Sequence, residues 1–315
     1  MSVTAQDQPA TSPSKQRAAF AILLVGALLI AMSPIFVRWS EVGPTMTAFW
    51  RVFLAIAPLW FLLALEQRRR PETRAAGPSN RRDIALIGLA GLFFAGDLAF
   101  WHWSIQFTSV ANSTLFANLQ PIFVSLGAWI LFRERMTSGF YLGGGLALAG
   151  AILLLGDSMR VGGETLFGDV LGIVTAAFYG AYILTIGRLR HRFTTLTIMV
   201  WSSIATSAIL LPIALASGEA LFPASATGWL VLFGLAFVSH AGGQGLIAYS
   251  MAHLPAAFSS VSLLIQPVAA AVFAWVLLTE SLSGLQIAGG VVVLAGIALA
   301  RRASLGATAR PATER

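Results

Sequence analysis

The sequence predicts an all-α integral membrane protein with ten transmembrane helices arranged as two inverted five-helix repeats. Three observations predict it. The 315 residues are 57% hydrophobic and only 10% charged, with a mean hydropathy of +0.79, whereas a soluble domain carries about 25% charge. The apolar residues fall into ten runs separated by short connectors that hold the charge, the pattern of helices that satisfy their own backbone inside a bilayer. The chain also matches itself. Gln120-Pro121, Ala128-Trp129, Leu131 and Glu134 return as Gln266-Pro267, Ala274-Trp275, Leu277 and Glu280, at a constant offset of 146 residues.

The runs cover about 18–37, 44–65, 84–106, 110–132, 139–156, 168–188, 194–216, 227–250, 255–278 and 284–300. Most hold the roughly 20 residues needed to cross about 30 Å of hydrocarbon. Residues 1–17 are polar and read as a disordered N-terminus. The first run is longer than the apolar region of a secretion leader, and nine more runs follow, so it reads as the first transmembrane helix. The fifth and tenth runs are short and carry Gly143-Gly144-Gly145 and Gly289-Gly290. Small residues let helices approach closely, so these two are expected to pack tightly against neighbours.

The basic residues set the orientation. With the N-terminus inside, 17 of the 20 Lys and Arg lie on the inner side and only Arg38 and Arg160 on the outer; Arg51 sits inside the second run. This asymmetry puts both termini in the cytoplasm and the chain in the cytoplasmic (inner) membrane as a multi-pass protein. The pI near 10.9 is then a topological signal, and no nucleic-acid partner is expected. The Arg-rich connector 66–83 reads as topogenic, with contact to lipid headgroups as the second reading. There is no cysteine, which excludes disulfides and thiolate metal sites.

Sliding residues 84–153 by 146 gives 21 identities in 70 positions, concentrated at distinctive residues such as Gly88/Gly234, Ala95-Gly96/Ala241-Gly242 and Ser104/Ser250. The division that follows is an N-terminus 1–17, a first repeat 18–156, a connector 157–167, a second repeat 168–301 and a cytoplasmic tail 302–315. Five helices per repeat make the second enter the membrane upside down. Inverted halves can exchange shapes about a central site, which is alternating access, so the repeat points to a transporter.

Pro121 and Pro267 remove a backbone donor near mid-membrane and are expected to kink helices four and nine, freeing carbonyls for a ligand or water. Gln120 and Gln266 add amides beside each kink; these motifs serve either helix packing or the site. Glu134 and Glu280 fall at helix boundaries and read as structural.

These residues resemble the drug/metabolite transporter superfamily. The segments FRERMTSGFYLGGGLALAGAILLL and LTESLSGLQIAGGVVVLAGIALA look like the repeated EamA-type domain, and the Arg of TAFWRVFLAIAPLW is common there. The resemblance covers residues 18–301. It implies a ten-helix EamA-type transporter with cytoplasmic termini and a cavity lined mainly by helices 1, 3, 4, 6, 8 and 9. Such members carry amino acids, nucleotide sugars, nucleosides, vitamins or cationic drugs. The chain lacks the first-helix Glu of the four-helix multidrug type. It also lacks a Lys-Arg pair in its last helices, which makes phosphorylated substrates less expected.

Ionisable residues inside the membrane are costly and point to function. Helix three offers Asp97, Trp101 and His102; helix eight offers His240 and Gln244; helix six offers Tyr179 and Tyr182; helix four offers Asn118 and Gln120. With Gln266, these are the substrate-cavity candidates. Aromatic rings with few charges suit a zwitterion or an uncharged metabolite. Trp101 is shared between the cavity and an interfacial belt, and Trp103 belongs to the belt. At about 1.5 Å per residue, Asp97 lies about 13 Å below the outer end of its helix and Arg51 about 10 Å below the start of helix two. Asp97 is therefore half of a buried ion pair with Arg51, a proton-coupling site, or a carboxylate solvated in a cavity.

No catalytic constellation, metal-ligand spacing, P-loop or cofactor motif is present, so no enzyme activity, metal or cofactor is expected. The reading is a secondary active transporter of a small metabolite, an amino acid or related compound, moving it by efflux, with protons as a candidate coupling partner. The alternative is an uptake carrier for a vitamin or nucleobase-like compound. A membrane receptor or an intramembrane enzyme is the distant one. The sequence leaves oligomeric state open.

Overall fold

The computed structural model describes residues 13–69, 77–108, 110–132, 136–156, 165–278 and 282–308, and every regular element among them is a helix. Nine helical stretches among the described residues are long and apolar enough to cross a membrane, from Ser14–Trp39 to Gly284–Ser304. The fifth run forms a shorter apolar helix, Ser138–Leu154. The expectation of ten spans thus meets nine of full length and one short one.

Several runs that read as single helices are divided. The first forms α1 (Pro13–Ala31) and α2 (Ser33–Trp39). Pro34 has no N–H for the Ile30 carbonyl, and the ladder resumes with Ile35 and Phe36 both donating to Met32 O at 3.1 Å. Residues 13–17, placed by the sequence in a disordered segment, are the start of α1. The second and third runs are continuous: α3 (Pro44–Arg69) and α4 (Arg81–Phe107). The fourth splits into α5 (Val110–Ala117) and α6 (Gln120–Phe132). At the break, Leu119 N donates to Phe116 O and Ile122 N to Leu119 O, the shorter three-residue pattern.

Next come α7 (Ser138–Gly156), α8 (Leu166–Leu189) and α9 (Thr195–Ala216). The eighth run is composite. It begins as α10 (Ala226–Gly234), widens to a π-helical stretch Leu235–Gln244 and ends as α11 (Gly245–Ser250). The ninth splits at Leu263-Leu264 into α12 (Ala256–Ser262) and α13 (Ile265–Leu278). The last is α14 (Gly284–Thr308), which continues past the apolar run. There Arg301 lies over the Phe20 ring at 4.2 Å, worth about 0.5–1 kcal/mol at an exposed site.

Packing follows side-chain size. Among the described residues, α7 and α14 interlock most closely. A Cβ on Gly143 would strike the Ala300 backbone, and one on Gly289 would strike that of Leu154; Gly150 and Gly296 are equally confined. These are the glycine-rich runs, so their missing side chains are used for backbone contact. α4 lies against α8 and α9, and α3 against α9. A ring column threads the core: Tyr179 stacks on Tyr182, Tyr182 on Phe94 at 4.7 Å, and Phe94 on His240 at 5.4 Å. Trp129 and Trp275, the repeated Ala-Trp positions, are instead 55% and 54% exposed, in keeping with a lipid-facing surface.

Carboxylates tie helix ends across the bundle. Glu219 accepts from Thr45 N at 3.1 Å and Met46 N at 2.7 Å, capping α3. Glu41 accepts from the backbone and hydroxyl of Ser225, the N-cap of α10. At the other, arginine-rich end, Arg192 forms a two-pronged pair with Asp83 at 2.5 and 3.2 Å, and Thr194 donates to Glu66 at 2.9 Å. Glu134 and Glu280 lie outside the described residues.

Candidate functional site

The chain's irregularities converge. The α1–α2 break contributes Ser33 and Pro34; the α5–α6 break, Asn118 and Gln120; the π-helical stretch, its last residue Gln244; and α13, Gln266 and Pro267. Together with α4 and α8 they line a cavity of about 120 Å³. This is well below the roughly 300 Å³ at the low end of drug-sized pockets, so it suits a small polar molecule. Pro34 leaves the Ile30 carbonyl without its helical donor, and Pro121 does the same to Ala117; both donor-deprived residues line the cavity. Non-helical backbone is tolerated at membrane depth where it lines such a space.

Asp97 and Trp101 reach the cavity from α4, Tyr179 from α8 and Arg51 from α3. Arg51 and Asp97 therefore bring opposite charges to one small volume, but no ion pair within 4.0 Å joins them. The pair anticipated from their depths is a shared cavity rather than a direct contact. Four polar atoms of the wall are buried without a protein hydrogen-bond partner: Ser33 Oγ, Arg51 Nε, Gln120 Oε1 and Gln266 Nε2. Unpaired polar groups in such surroundings cost about 1–3 kcal/mol each, and a polar ligand would offset that cost. Gln244 and Gln266 both face the Tyr179 hydroxyl.

The remaining sequence candidates lie behind this wall. Tyr182 is buried between Tyr179 and Phe94. His102 is fully buried, and its Nδ1 meets Leu98 O at 2.6 Å, so that nitrogen carries the proton and donates. The His240 Nε2 sits 2.9 Å from Ser203 Oγ on α9. Each histidine thus has one nitrogen partnered in the helix packing, while His102 Nε2 and His240 Nδ1 are buried without a protein partner, and neither residue lines the cavity. Pro121 shapes the break without lining it. Trp103 points outward, 39% exposed. Sequence reasoning missed Ser33, Thr114 and Thr175 on the wall. Only Ser33 had a local signal, the Ser-Pro pair inside an apolar run. Among the described residues no group of three His, Asp or Glu could hold a metal ion.

A model of the EamA-like transporter family matches residues 17–156 and again 166–302. The chain belongs to the EamA-like transporter family. A relative from Streptantibioticus cattleyicolor, a probable terminal-alkyne amino-acid exporter, is 30% identical over 242 residues, covering 74% of this chain and 80% of the relative. An uncharacterized transporter from Archaeoglobus fulgidus is 28% identical over 284 residues, 90% and 96% of the two chains. The pseudopaline exporter CntI of Pseudomonas aeruginosa is 26% identical over 263 residues, 83% and 89%. A crystal structure with 19% identity superposes with a TM-score of 0.75 over 90% of this chain and 97% of that one, which shows a shared fold. This EamA protein is a multi-pass membrane transporter.

Proposed function

We propose that this EamA protein is a secondary active exporter of a small zwitterionic metabolite, an amino acid or a close relative. One observation carries the reading: Arg51 and Asp97 present opposite charges, unpaired with each other, to one small cavity. A carboxylate would sit against the Arg51 guanidinium, with its Nε–H free to donate, and an ammonium group against Asp97. The amides of Gln244 and Gln266 and the Tyr179 hydroxyl supply adaptable hydrogen bonds. Trp101 offers a ring face. Asp97 can hold either the substrate's cation or a proton, which makes it the coupling residue of a proton-exchange cycle. Export follows the two named exporters among the relatives.

The two family matches fall on the halves separated by the 146-residue offset. We infer ten membrane crossings in two inverted halves, with both termini cytoplasmic and the cavity opening alternately to each side. The breaks before Pro121 and Pro267 are where each half bends. The test is purified protein in sealed liposomes with pooled amino acids, with and without an imposed pH gradient. Saturable movement that responds to the gradient, and disappears in Asp97→Asn and Arg51→Gln, supports the reading. Transport that is unchanged in both variants would overturn it.

A further inference from the structure

A second concavity lies away from the central cavity, at the arginine-rich end of the bundle. It is about 820 Å³, bounded by α3, the α8–α9 connector, α9 and the π-stretch with α11. Its walls are apolar: Leu59 and Leu62 of α3, Leu196 and Met199 of α9, and Leu246 of α11. Its depth comes from glycine: nothing lies within 4 Å of a Cβ built on Gly245, so that position opens onto space. Leu62 and Tyr249, 47% and 42% exposed, form the outer lips.

The polar end of the groove is basic and has donors to spare. Arg190 is held by one bond, Nη1 to Phe193 O at 2.6 Å, and its buried Nε has no partner. The Thr195 hydroxyl, in the first turn of α9, is also buried and unpartnered. Of the nearby carboxylates, Asp83 is paired with Arg192; Glu66 lines the groove, accepts from Thr194 and balances part of the Arg190 charge, while Arg190 Nε keeps no hydrogen-bond acceptor. Arg192 keeps a half-exposed side chain at the same rim. An arginine Nε–H and a threonine O–H at the first turn of a helix are donors suited to a phosphate, which would engage them once the two side chains turn toward the groove.

We propose that this groove binds one anionic phospholipid from the leaflet at the arginine-rich end. Its phosphate accepts from Arg190 Nε and Thr195 Oγ1, and an acyl chain lies along the leucine-lined wall over Gly245. The site is separate from the central cavity and does not depend on which solute that cavity carries.

The test is native mass spectrometry of the full-length protein titrated with phosphatidylglycerol or phosphatidylcholine. Two variants attack the site from opposite ends: Arg190→Gln removes the phosphate donor, and Gly245→Leu fills the groove. Arg188→Gln removes the same charge from an exposed residue outside the groove. The expected result is preferential retention of phosphatidylglycerol, reduced roughly tenfold by Arg190→Gln and to a similar degree by Gly245→Leu. Arg188→Gln should bind as wild type. Thermal unfolding in detergent confirms that the compared variants are folded, and Thr195→Val gives a second reading of the phosphate end. Three results would overturn the proposal: equal retention of the two lipids, equal losses in Arg188→Gln and Arg190→Gln, or unchanged binding in Gly245→Leu.

Discussion

Helix α4 and the composite helix α10–π–α11 occupy the same place in the two halves of the sequence, yet they are built differently. α4 runs unbroken from Arg81 to Phe107, whereas its counterpart passes through a π-helical stretch over Leu235–Gln244. The offset of 146 pairs Phe94 with His240, Asp97 with Gly243 and Leu98 with Gln244. On α4, Asp97 places a charge in the cavity. At the matching position Gly243 places nothing there; a Cβ would meet Ile30 Cγ1 at 2.7 Å and Gly26 O at 3.0 Å. One helix uses this position to bring a charge to the cavity and the other for close approach to α1. The following position is reversed in character: Leu98 is apolar, while Gln244 carries an amide into the cavity. Similar helices thus acquire different tasks through single substitutions, and π-helical turns are frequent at such functional positions.

Removing the asymmetry at its charged end should have the largest effect. Asp97→Asn is expected to lower transport roughly 10- to 100-fold, the range of a lost charge-assisted hydrogen bond. Because no ion pair within 4.0 Å joins Asp97 to Arg51, its level in the membrane should stay near wild type; a collapse in that level would mean the charge is structural. Gln244→Leu makes the second helix resemble the first. It should raise the half-saturating solute concentration roughly tenfold, read by uptake into liposomes across a substrate series.

Gly243→Ala tests the close approach. Overpacking against Ile30 and the Gly26 carbonyl should cost about 1–3 kcal/mol, seen as a lower thermal midpoint in detergent. A smaller effect separates the paired glycines Gly88 and Gly234. A Cβ on Gly88 meets nothing within 4 Å, but one on Gly234 lies 2.8 Å from the Phe36 ring. Gly88→Ala should stabilise by up to about 1 kcal/mol through helix propensity, whereas Gly234→Ala should destabilise. Equal shifts of the midpoint in both would remove this part of the contrast.

The smallest effect concerns how the two helices start. α4 is capped by its own Asn80, which accepts from Asp83 N at 2.9 Å. α10 is capped by Ser225, and that serine is held by Glu41 from the connector after α2. The hydroxyl and backbone N–H of Ser225 hold the Glu41 carboxyl below its ordinary pKa. A depressed carboxylate pKa contributes stability that is present above the unfolded value and lost as pH falls through the folded one. Acidification below the usual carboxylate range should therefore loosen this clasp, and Glu41→Gln should remove that pH dependence. Amide exchange at Ser225 and Gly228 measures it.

Much of the framework was legible before any coordinates. Apolar run length marks the helices, because a spanning helix must cover the hydrocarbon with its own residues. Pro121 and Pro267 mark two breaks, because a missing N–H acts within one turn. Asp97, Gln120, Gln244 and Gln266 stood out because polar groups are costly at membrane depth. Other features were not local. The π-helical stretch has no proline to announce it. His240 was grouped with Gln244, and only the packing of α9 supplied Ser203 as its partner. Thr175 sits in a helix apolar nearly all round, and Thr114 follows Asn112 and Ser113 in α5, so in neither does a single polar stripe show which face turns inward. Glu41 and Glu219 act on helix ends more than 170 residues away in sequence.

By itself, then, the sequence determined a membrane-spanning helical chain, its internal repeat and the bends near Pro121 and Pro267, because run length, residue identity and a missing N–H are all properties of the local chain. Tertiary structure alone decided which interruptions meet around one cavity, and that Arg51 and Asp97 share it without a direct ion pair. It also decided that both histidines are buried behind the cavity wall, each with one nitrogen partnered. Those outcomes depend on which helix faces lie together, and helices that are apolar on every side carry little record of that choice.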